Sequence, residues 1–552
     1  YGTFDTTGGK DKAVAEWLLC NPLIERWSGF DLAGMRAHYS SITLPLAGVK
    51  GKGTVYEIPL PDSDGELERI STRRLLALSI SEMRAIRDYY ARDDVKRSRE
   101  KTGLAPHPTD VELEAIAQTW SEHCKHKIFN ATIDYTDFSP PQKEDDAKSE
   151  KAKGKKEKAK SKNEKAKLKA RAAQKKLHPR HLKINSLFKT YIAATTRNIH
   201  SAKHYLLSVF VDNAGIMAMD NDWALAVKVE THNTPSALDP YGGALTGILG
   251  VNRDVMGAGM GAKPIFNTDV FCFADPFYSG AIPPRLLHPK RVFEGVRAGV
   301  ERGGNASGIP TVNGSIYFDD RYLGKPLVYC GTGGLMPKKS AGRLTHQKYI
   351  QSGDRIFMVG GRIGKDGIHG ATFSSETLHE GSPTSAVQLG DPFTQKGVLD
   401  FLLASREAGL HSGLTDNGAG GLSSSVGELA NDVGGALVHL DRCPLKYPGL
   451  DPWEILLSES QERMTVAVPA GKAGEFAALA RHFSVEATDI GEFNSTGSLM
   501  VKYHGHVVAD LNLQFLHKGV PKMQLRAEWK PPELEEPQLE MRVDVDEARQ
   551  ER

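Results

Sequence analysis

Three acidic residues, Glu230, Asp254 and Asp416, are hard oxygen donors of the kind that Mg²⁺ takes. Lys228, Lys127 and Arg253 are cations suited to phosphate oxygens. Most of these fall close together. The run WALAVKVETHN alternates like a strand and ends in Lys228, Glu230, His232 and Asn233, and Asn252, Arg253 and Asp254 follow within about twenty residues. A buried strand gains nothing structural from ending in charge, whereas a seat for a charged ligand does. The glycines of YGGALTGILG, GAGMGAKP and GGRIGKDGIHGATF would let the backbone approach an anion closely, with free N–H groups forming nests. Carboxylates, cations and glycine loops together read as magnesium–nucleotide chemistry on a phosphate-bearing substrate. His123 and His232 are the acid/base candidates, since imidazole titrates near neutrality.

Each signal alone has a plainer reading. A single histidine is more often structural, and glycine runs are usually turns. His123 and His126 have no third ligand beside them, which argues against zinc. GGRIGKDG lacks the GK[ST] ending of a P-loop. Cys124 and His123 are adjacent helical residues that do not face each other, so they make a poor nucleophile and base.

The elements that must position these residues can be read from periodicity. The N-terminal region is helical, in DKAVAEWLLCNPLIERW and again in STRRLLALSISEMRAIRDYYARDD. HPTDVELEAIAQTWSEHCKHK predicts one helix with Thr109 as N-cap and Glu112 completing a capping box. Its apolar stripe is Leu113, Ile116, Ala117, Trp120 and Cys124, and His123, His126 and Lys127 cluster at its end. From Lys183 to Met336 strands and helices alternate: YLLSVFVDNAGIMAM, WALAVKVE and KPIFNTDVFCFA as strands, PKRVFEGVRAGVERGGNASG as a helix. A third region opens near Asp354 with the strand RIFMVGG, carries the helix FTQKGVLDFLLASREAG and ends around SLMVKYHGHVVADLNL.

With 552 residues the chain allows roughly three or four domains. At 40% hydrophobic and 25% charged residues its composition is that of a soluble protein, and no apolar window suits a membrane span. Its start does not read as a signal peptide. The five cysteines are scattered without a CxxC pair, which fits a reducing cytoplasm. Lys143–Lys176 holds 15 Lys/Arg and 6 Asp/Glu, leaving the rest of the chain, by difference from a net +2, at −7. Such a run cannot bury enough apolar surface to order itself. It could bind nucleic acid electrostatically, but a solvated surface insertion is the plainer reading, and nucleic acid is not expected as a partner.

Taken in order, SEHCKHKIF, VKVETHNTPSALDPYGGALTG, NRD…GMGAKP, GATFSS, VQLGDP, DNGAGGLSSS and SESQER resemble phosphoribosylformylglycinamidine synthase, the amidotransferase family of purine biosynthesis. The resemblance runs from about Trp17 to Asn512. It implies an ATP-dependent carbon–nitrogen ligase that phosphorylates the amide oxygen of formylglycinamide ribonucleotide, after which glutamine-derived ammonia displaces phosphate to give the amidine. Mg²⁺ and ATP are the implied cofactors. By motif position, His123 is the implied active-site histidine and His232 the proton acceptor. Glu230, Asp254 and Asp416 are implied magnesium ligands. Thr231, His232, Asn233, Thr234, Arg253, Gln388, Glu459, Ser460 and Gln461 are implied substrate contacts, and His126 and Lys228 nucleotide contacts.

The implied fold is α/β plus α+β: an aminoimidazole ribonucleotide synthetase-like module with a helical N-terminal linker region. Residues 1–105 would hold the end of a small N-terminal domain plus that linker. Residues 106–340 would form the α/β domain, with the insert at 143–178, residues 341–515 the α+β domain, and 516–552 an exit linker. The α/β sheet pairs with a homologous partner in this family. The chain departs from the family in reading HNTP where many relatives have HNHP, so Thr234 cannot act as a second imidazole. The Lys-rich insert is a further departure. SEHC, THN and DNGAGG each occur once, whereas the family enzyme holds two copies of this module. The implied partners are therefore a second synthetase half and a glutaminase domain or subunit, or a second copy of this chain as a homodimer. The chain reads as a fragment, a split subunit or one separately encoded half. The rival readings are a non-catalytic binding or scaffold subunit that kept the fold, and another ATP-using member of the same superfold.

Overall fold

The computed structural model describes residues 53–139, 180–284, 286–370, 387–388 and 390–532. The expected first helix, the insert at 143–178 and nearly all of GATFSS lie outside these. The chain forms two compact units, one comprising Tyr1–Lys127 and Thr196–Pro521, the other Ile128–Thr195 and Lys522–Arg552.

Among the described residues, five helices come first in the larger unit. α1 (Asp64–Arg73) and α2 (Ile80–Ala91) were one helical run by periodicity, but Leu75 and Ala77 take positive φ between them. Ser79 and Glu82 then form a capping box that starts α2 afresh. α3 (Asp93–Lys101) follows. α4 (Asp110–Thr119) begins at the expected box of Thr109 and Glu112. It is not amphipathic, because all ten of its residues are buried. Two of its three acids are ion-paired, Glu112 with Arg99 at 2.6 Å and Glu114 with Arg74 at 3.3 Å and His369 at 3.1 Å, while Asp110 accepts from Tyr56 N at 3.2 Å and Val111 N at 2.9 Å. The expected single helix also stops early. Ser121 leaves helical geometry and caps a new one-turn helix, α5 (Glu122–Lys125), which ends at His126 with φ 47°. Cys124 therefore leaves the apolar stripe and is exposed.

In the smaller unit β1 (Thr132–Asp137) pairs antiparallel with β2 (Arg180–Asn185), so the Lys-rich segment lies in the connection between two paired strands.

The larger unit resumes within a helix at Ala194–Lys203, after which β3 (Leu206–Ser208) and β4 (Gly215–Ala218) form an antiparallel pair where the sequence suggested one strand. Then come β5 (Trp223–Thr231), α6 (Asn233–Leu238), α7 (Pro240–Met256), β6 (Lys263–Phe273), α8 (Pro289–Ser307), β7 (Thr311–Phe318) and β8 (Leu327–Pro337). The sheet order is β3-β4-β5-β8-β6-β7. Residues of α7 and α8 pack with Phe271, Phe273 and Val328 of the sheet into one core, while Val229, Val312, Ile316 and Tyr317 are left exposed. The stretch YGGALTGILG is helix, not loop: Asp239 caps it by accepting from Gly242 N at 3.2 Å, and Pro240 opens it. Its glycines do not form the anion nest expected of them. A Cβ on Gly243 would stand 2.4 Å from Ser236 N, so the residue is small to let α6 and α7 touch.

After the short pair β9 (Lys339–Ser340) and β10 (Arg343–Leu344), a second sheet forms. Its elements in chain order are β11 (Arg355–Gly360), α9 (Pro392–Glu407), β12 (Gly413–Asp416), α10 (Gly421–Val433), β13 (Ala436–His439), α11 (Pro452–Leu457), β14 (Arg463–Val468), α12 (Ala473–His482), β15 (Ala487–Phe493), β16 (Ser498–Tyr503) and β17 (His506–Asn512). The strand order is β12-β14-β11-β15-β13-β16-β17. α9 and α12 close one core with Phe357, Phe401 and Phe476; α4, α10 and α11 close the other. α13 (Leu513–Lys518) ends the larger unit, and its Leu516 carbonyl accepts from the buried Trp120 indole at 2.8 Å. Residues 516–552 were expected as an exit linker. Instead, β18 (Gln524–Trp529) pairs parallel with β1 and completes the three-stranded sheet of the smaller unit. Among the described residues no helix is long and apolar enough to cross a membrane.

His411 is fully buried, with Nδ1 against Ser405 Oγ at 2.8 Å and Nε2 against Met260 O at 3.1 Å. Both bonds suit the neutral ring, and burial pushes its pKa to about 4. Between about pH 6.5 and 4 the unfolded chain therefore binds a proton that the folded chain refuses. The stability this ring contributes is full above pH 6.5 and falls by about 1.4 kcal/mol per pH unit below it. Urea midpoints at pH 7 and pH 5 should draw together in the His411→Asn variant relative to the parent. An unchanged gap would place the acid sensitivity elsewhere.

Candidate active site

β5 is the element that aims the charged residues. Its side chains alternate, with Ala224 and Ala226 buried, and Lys228 and Glu230 continue the same row past the apolar part of the sheet. The last turn of α7 sets Asp254 beside them. Lys228 Nζ lies 3.1 Å from Glu230 Oε1 and 3.2 Å from Asp254 Oδ2. β12 of the second sheet brings Asp416, whose Oδ1 accepts from Asn213 Nδ2 at 2.8 Å and whose Oδ2 stands 3.7 Å from Arg253 Nε.

The carboxylates Glu230, Asp254, Asp416 and Glu462 outnumber the two cations Lys228 and Arg253. The consequence shows in their titration. Burial, reinforced by Glu230 and Asp416, holds Asp254 well above the usual carboxylate range. Burial also raises Asp416, against the pull of Arg253. Burial opposes charge on Lys228, yet Asp254 and Glu230 keep its ammonium above the ordinary value. Burial works against the Glu230 carboxylate too, but Lys228 holds it below normal.

The two histidines flank this cluster. His232 follows β5, hydrogen-bonds the Gly243 backbone, and leaves its Nδ1 buried without a partner. Burial pushes its pKa to about 4, so the ring is neutral at physiological pH. Gly247 of α7 makes room for it, since a Cβ there would meet His232 Cβ at 3.0 Å. His123, on α5, lies within electrostatic reach of Glu230, Lys228 and His126; desolvation by the groups around its ring lowers its pKa while Glu230 opposes the shift.

The remaining candidates separate into two groups. Thr231 is exposed at the end of β5. Asn233 uses its Oδ1 to accept from Val328 N at 2.7 Å, and Thr234 is buried. Arg253 is buried and reaches Gln461 Oε1 and, at 3.8 Å, Glu462. Glu459 accepts from Gln388 Nε2 at 2.8 Å and from Gly420 N at 3.1 Å. Ser460 Oγ donates to Asp366 Oδ1 at 2.7 Å, and Gln461 Nε2 donates to Glu459 O at 3.1 Å. The SESQER segment is thus a buried bend, held by Arg463 Nε on Ser460 O at 2.8 Å. Lys127 is not free for phosphate, since its Nζ pairs with Glu82 at 2.8 Å. Sequence reasoning missed Asn213, Glu462 and Gln395, which donates to Glu462 Oε2 at 3.0 Å. Nothing in the local pattern marks Asn213 or Gln395, whereas Glu462 lies inside SESQER, next to Gln461.

Among the described residues no three carboxylate, imidazole or thiolate side chains converge closely enough to hold a metal ion by themselves. Mg²⁺ does not need such a cage: it keeps several waters and takes one or two carboxylates beside substrate phosphates. A hard-oxygen cluster with an excess of negative charge, and with Glu230 half exposed, fits that habit.

The fold and the site together define a protein related to aminoimidazole ribonucleotide synthetase. Residues 211–336 match the AIR synthase related protein N-terminal domain and residues 351–504 its C-terminal domain. Residues 67–127 match the formylglycinamide ribonucleotide amidotransferase linker domain. The chain is 33% identical to the phosphoribosylformylglycinamidine synthase subunit PurL of Thermoplasma volcanium, over 83% of this chain and 50% of that protein. It is 40% identical to that of Methanothermobacter marburgensis, over 60% of this chain and 44% of the relative. Among solved structures, Thermotoga maritima PurL complexed with FGAR matches at TM-score 0.56 and 29% identity, over 80% of this chain and 58% of that one. The same protein complexed with ATP matches at TM-score 0.53 and 28% identity, over 80% and 57%. The chain belongs to the phosphoribosylformylglycinamidine synthase family, and it spans about half the length of the curated relatives it matches.

Arg253→Met should destabilise the larger unit by about 3–5 kcal/mol in urea denaturation, because it strands the Glu462 and Asp416 carboxylates. Gly247→Ala should leave the fold intact and disturb the His232 ring. A Gly247→Ala protein whose imidazole NMR signals matched the parent's would mean the contact is slack.

Proposed function

We propose that this chain is a synthetase half of an ATP-dependent ligase. It would convert formylglycinamide ribonucleotide to formylglycinamidine ribonucleotide with ammonia released from glutamine. The observation that carries this reading is the charge cluster of Lys228, Glu230, Asp254 and Asp416 at the ends of β5, α7 and β12, beside the neutral imidazole of His232 and near His123. Family membership supports it, as do the FGAR and ATP complexes of the Thermotoga relative.

In this reading the substrate's amide oxygen attacks the γ-phosphorus of ATP and ADP leaves. Ammonia then adds to the activated carbon, and phosphate departs with the former amide oxygen. Phosphorylation is needed because an amide oxygen is a poor leaving group. Glu230, Asp254 and Asp416 would supply carboxylates to magnesium, one or two to an ion beside the phosphates, and magnesium when bound neutralises the charge on the transferring phosphoryl group. Lys228 supplies a fixed cation for phosphate oxygens. His232, neutral and desolvated, accepts the proton that the attacking ammonia loses; His123, within electrostatic reach of Glu230 and His232, is the second acid/base group. His126 faces the nucleotide. Thr231 and Asn233 line the end of β5 toward the substrate, while the buried Thr234, Arg253, Glu459, Ser460 and Gln461, with the half-buried Gln388 on Glu459, form the polar wall behind it.

A second module and a glutaminase complete the assembly in this reading, the first packing on the exposed apolar sheet around Val312 and Ile316. A matched structure described as PurLQS from Thermotoga maritima, at TM-score 0.52 and 27% identity, supports an assembly of this kind. A second copy of this chain could take the place of the homologous module, and the cytoplasm suits the chemistry.

ADP release should be measured with Mg-ATP, formylglycinamide ribonucleotide and an ammonium salt, for the chain alone and with a candidate second half. Substrate-dependent release in either case is expected. Silence in both from well-folded protein would favour the scaffold reading. His232→Ala and Asp416→Asn should each abolish turnover with little loss of folding; an active variant removes that residue from the site. Deleting residues 143–176 should leave turnover intact, and a collapse would give the insert a role in the reaction.

A further inference from the structure

Asp416 stands on an edge strand, and something must fix its carboxylate. We infer that Asn213 is the positioning residue that does so, an inference that rests on the functional reading above. Asn213 belongs to the turn between β3 and β4, far from Asp416 in sequence. Its Nδ2 donates to Asp416 Oδ1 at 2.8 Å, and its Oδ1 accepts from Thr415 Oγ1 at 3.0 Å. The amide thus clasps two consecutive residues of β12. A carboxylate only accepts, so the amide must present its NH₂ to Asp416, and the Thr415 hydroxyl settles the other end.

The turn is itself anchored. Asp212 accepts from Lys348 Nζ at 2.7 Å, from Gly259 N at 2.7 Å and from Asn213 N at 2.8 Å. Gly257 completes the clasp: a Cβ there would lie 2.7 Å from Asn213 Nδ2 and 3.2 Å from Asp416 N. Only a glycine lets the amide enter this space. The result is that one oxygen of Asp416 is tied down and the other is turned toward Arg253 and the charge cluster. A neutral donor suits this task better than a lysine, because it orients the carboxylate without cancelling its charge. A partner that orients a ligating side chain in this way contributes roughly ten- to a hundredfold in affinity or activity.

The test uses the full chain and reads Mg-ADP binding by calorimetry beside thermal melting. Asn213→Ala should weaken Mg-ADP binding roughly tenfold or more while the melting temperature stays close to the parent's. Turnover with the partner present should lose kcat and raise the KM for Mg-ATP, leaving the KM for the ribonucleotide substrate unchanged. Exchanging the pair, as Asn213→Asp with Asp416→Asn, restores a hydrogen bond but moves the charge. It should melt normally and still bind Mg-ADP poorly. A merely structural clasp predicts the opposite, with binding restored by the exchange, and that result overturns the inference. So does normal binding by Asn213→Ala when Asp416→Asn has lost it. Normal binding by both variants, or none by the parent, sinks the functional reading itself and the inference with it.

Discussion

An imbalance of buried charge governs the larger unit. Four carboxylates and two cations meet where the ends of two sheets come together, and no rearrangement of protein groups neutralises them all. Burying unpaired charge costs several kcal/mol, so the surrounding structure must either hold protons on the acids or admit a cation from outside. The raised pKa of Asp254 and of Asp416 is the mark of that imbalance, and the exposure of Glu230 leaves the second option open. The neutrality of His232 follows from the same setting, since the crowding that desolvates the acids also desolvates the ring.

The rest of the structure reads as support for that meeting point. β5 supplies direction through its strict alternation. α7 needs glycines to lie close against α6 and the sheet, which places Asp254 over Lys228. The buried bend from Ser458 to Glu462 is held by internal bonds, with Arg463 packed inside it, and so gives Arg253 a rigid wall. Loops of this kind are expensive in desolvated polar groups and are retained where geometry matters.

Much of this was legible in the sequence. Thr109 and Glu112 announced the start of α4, and the alternation of WALAVKVE announced β5 and the residues it delivers. What escaped had identifiable reasons. The stripe from Leu113 to Cys124 looked like one amphipathic helix because periodicity does not register a serine that can restart a helix. The glycines of YGGALTGILG looked like a phosphate loop because composition does not distinguish a nest from a close helix crossing. β18 looked like linker because its pairing partner, β1, lies almost four hundred residues away. Asn213 carries no motif, and its importance comes only from which residue it touches.

That distance between β1 and β18 has a consequence for how the protein is made. β1 and β2 leave the ribosome well before the third strand of their sheet, which is synthesised only after both domains of the larger unit. A two-stranded ribbon has little stability of its own. The sheet of the smaller unit therefore stays incomplete until β18 has been made, and it forms only when everything between β1 and β18 has been synthesised.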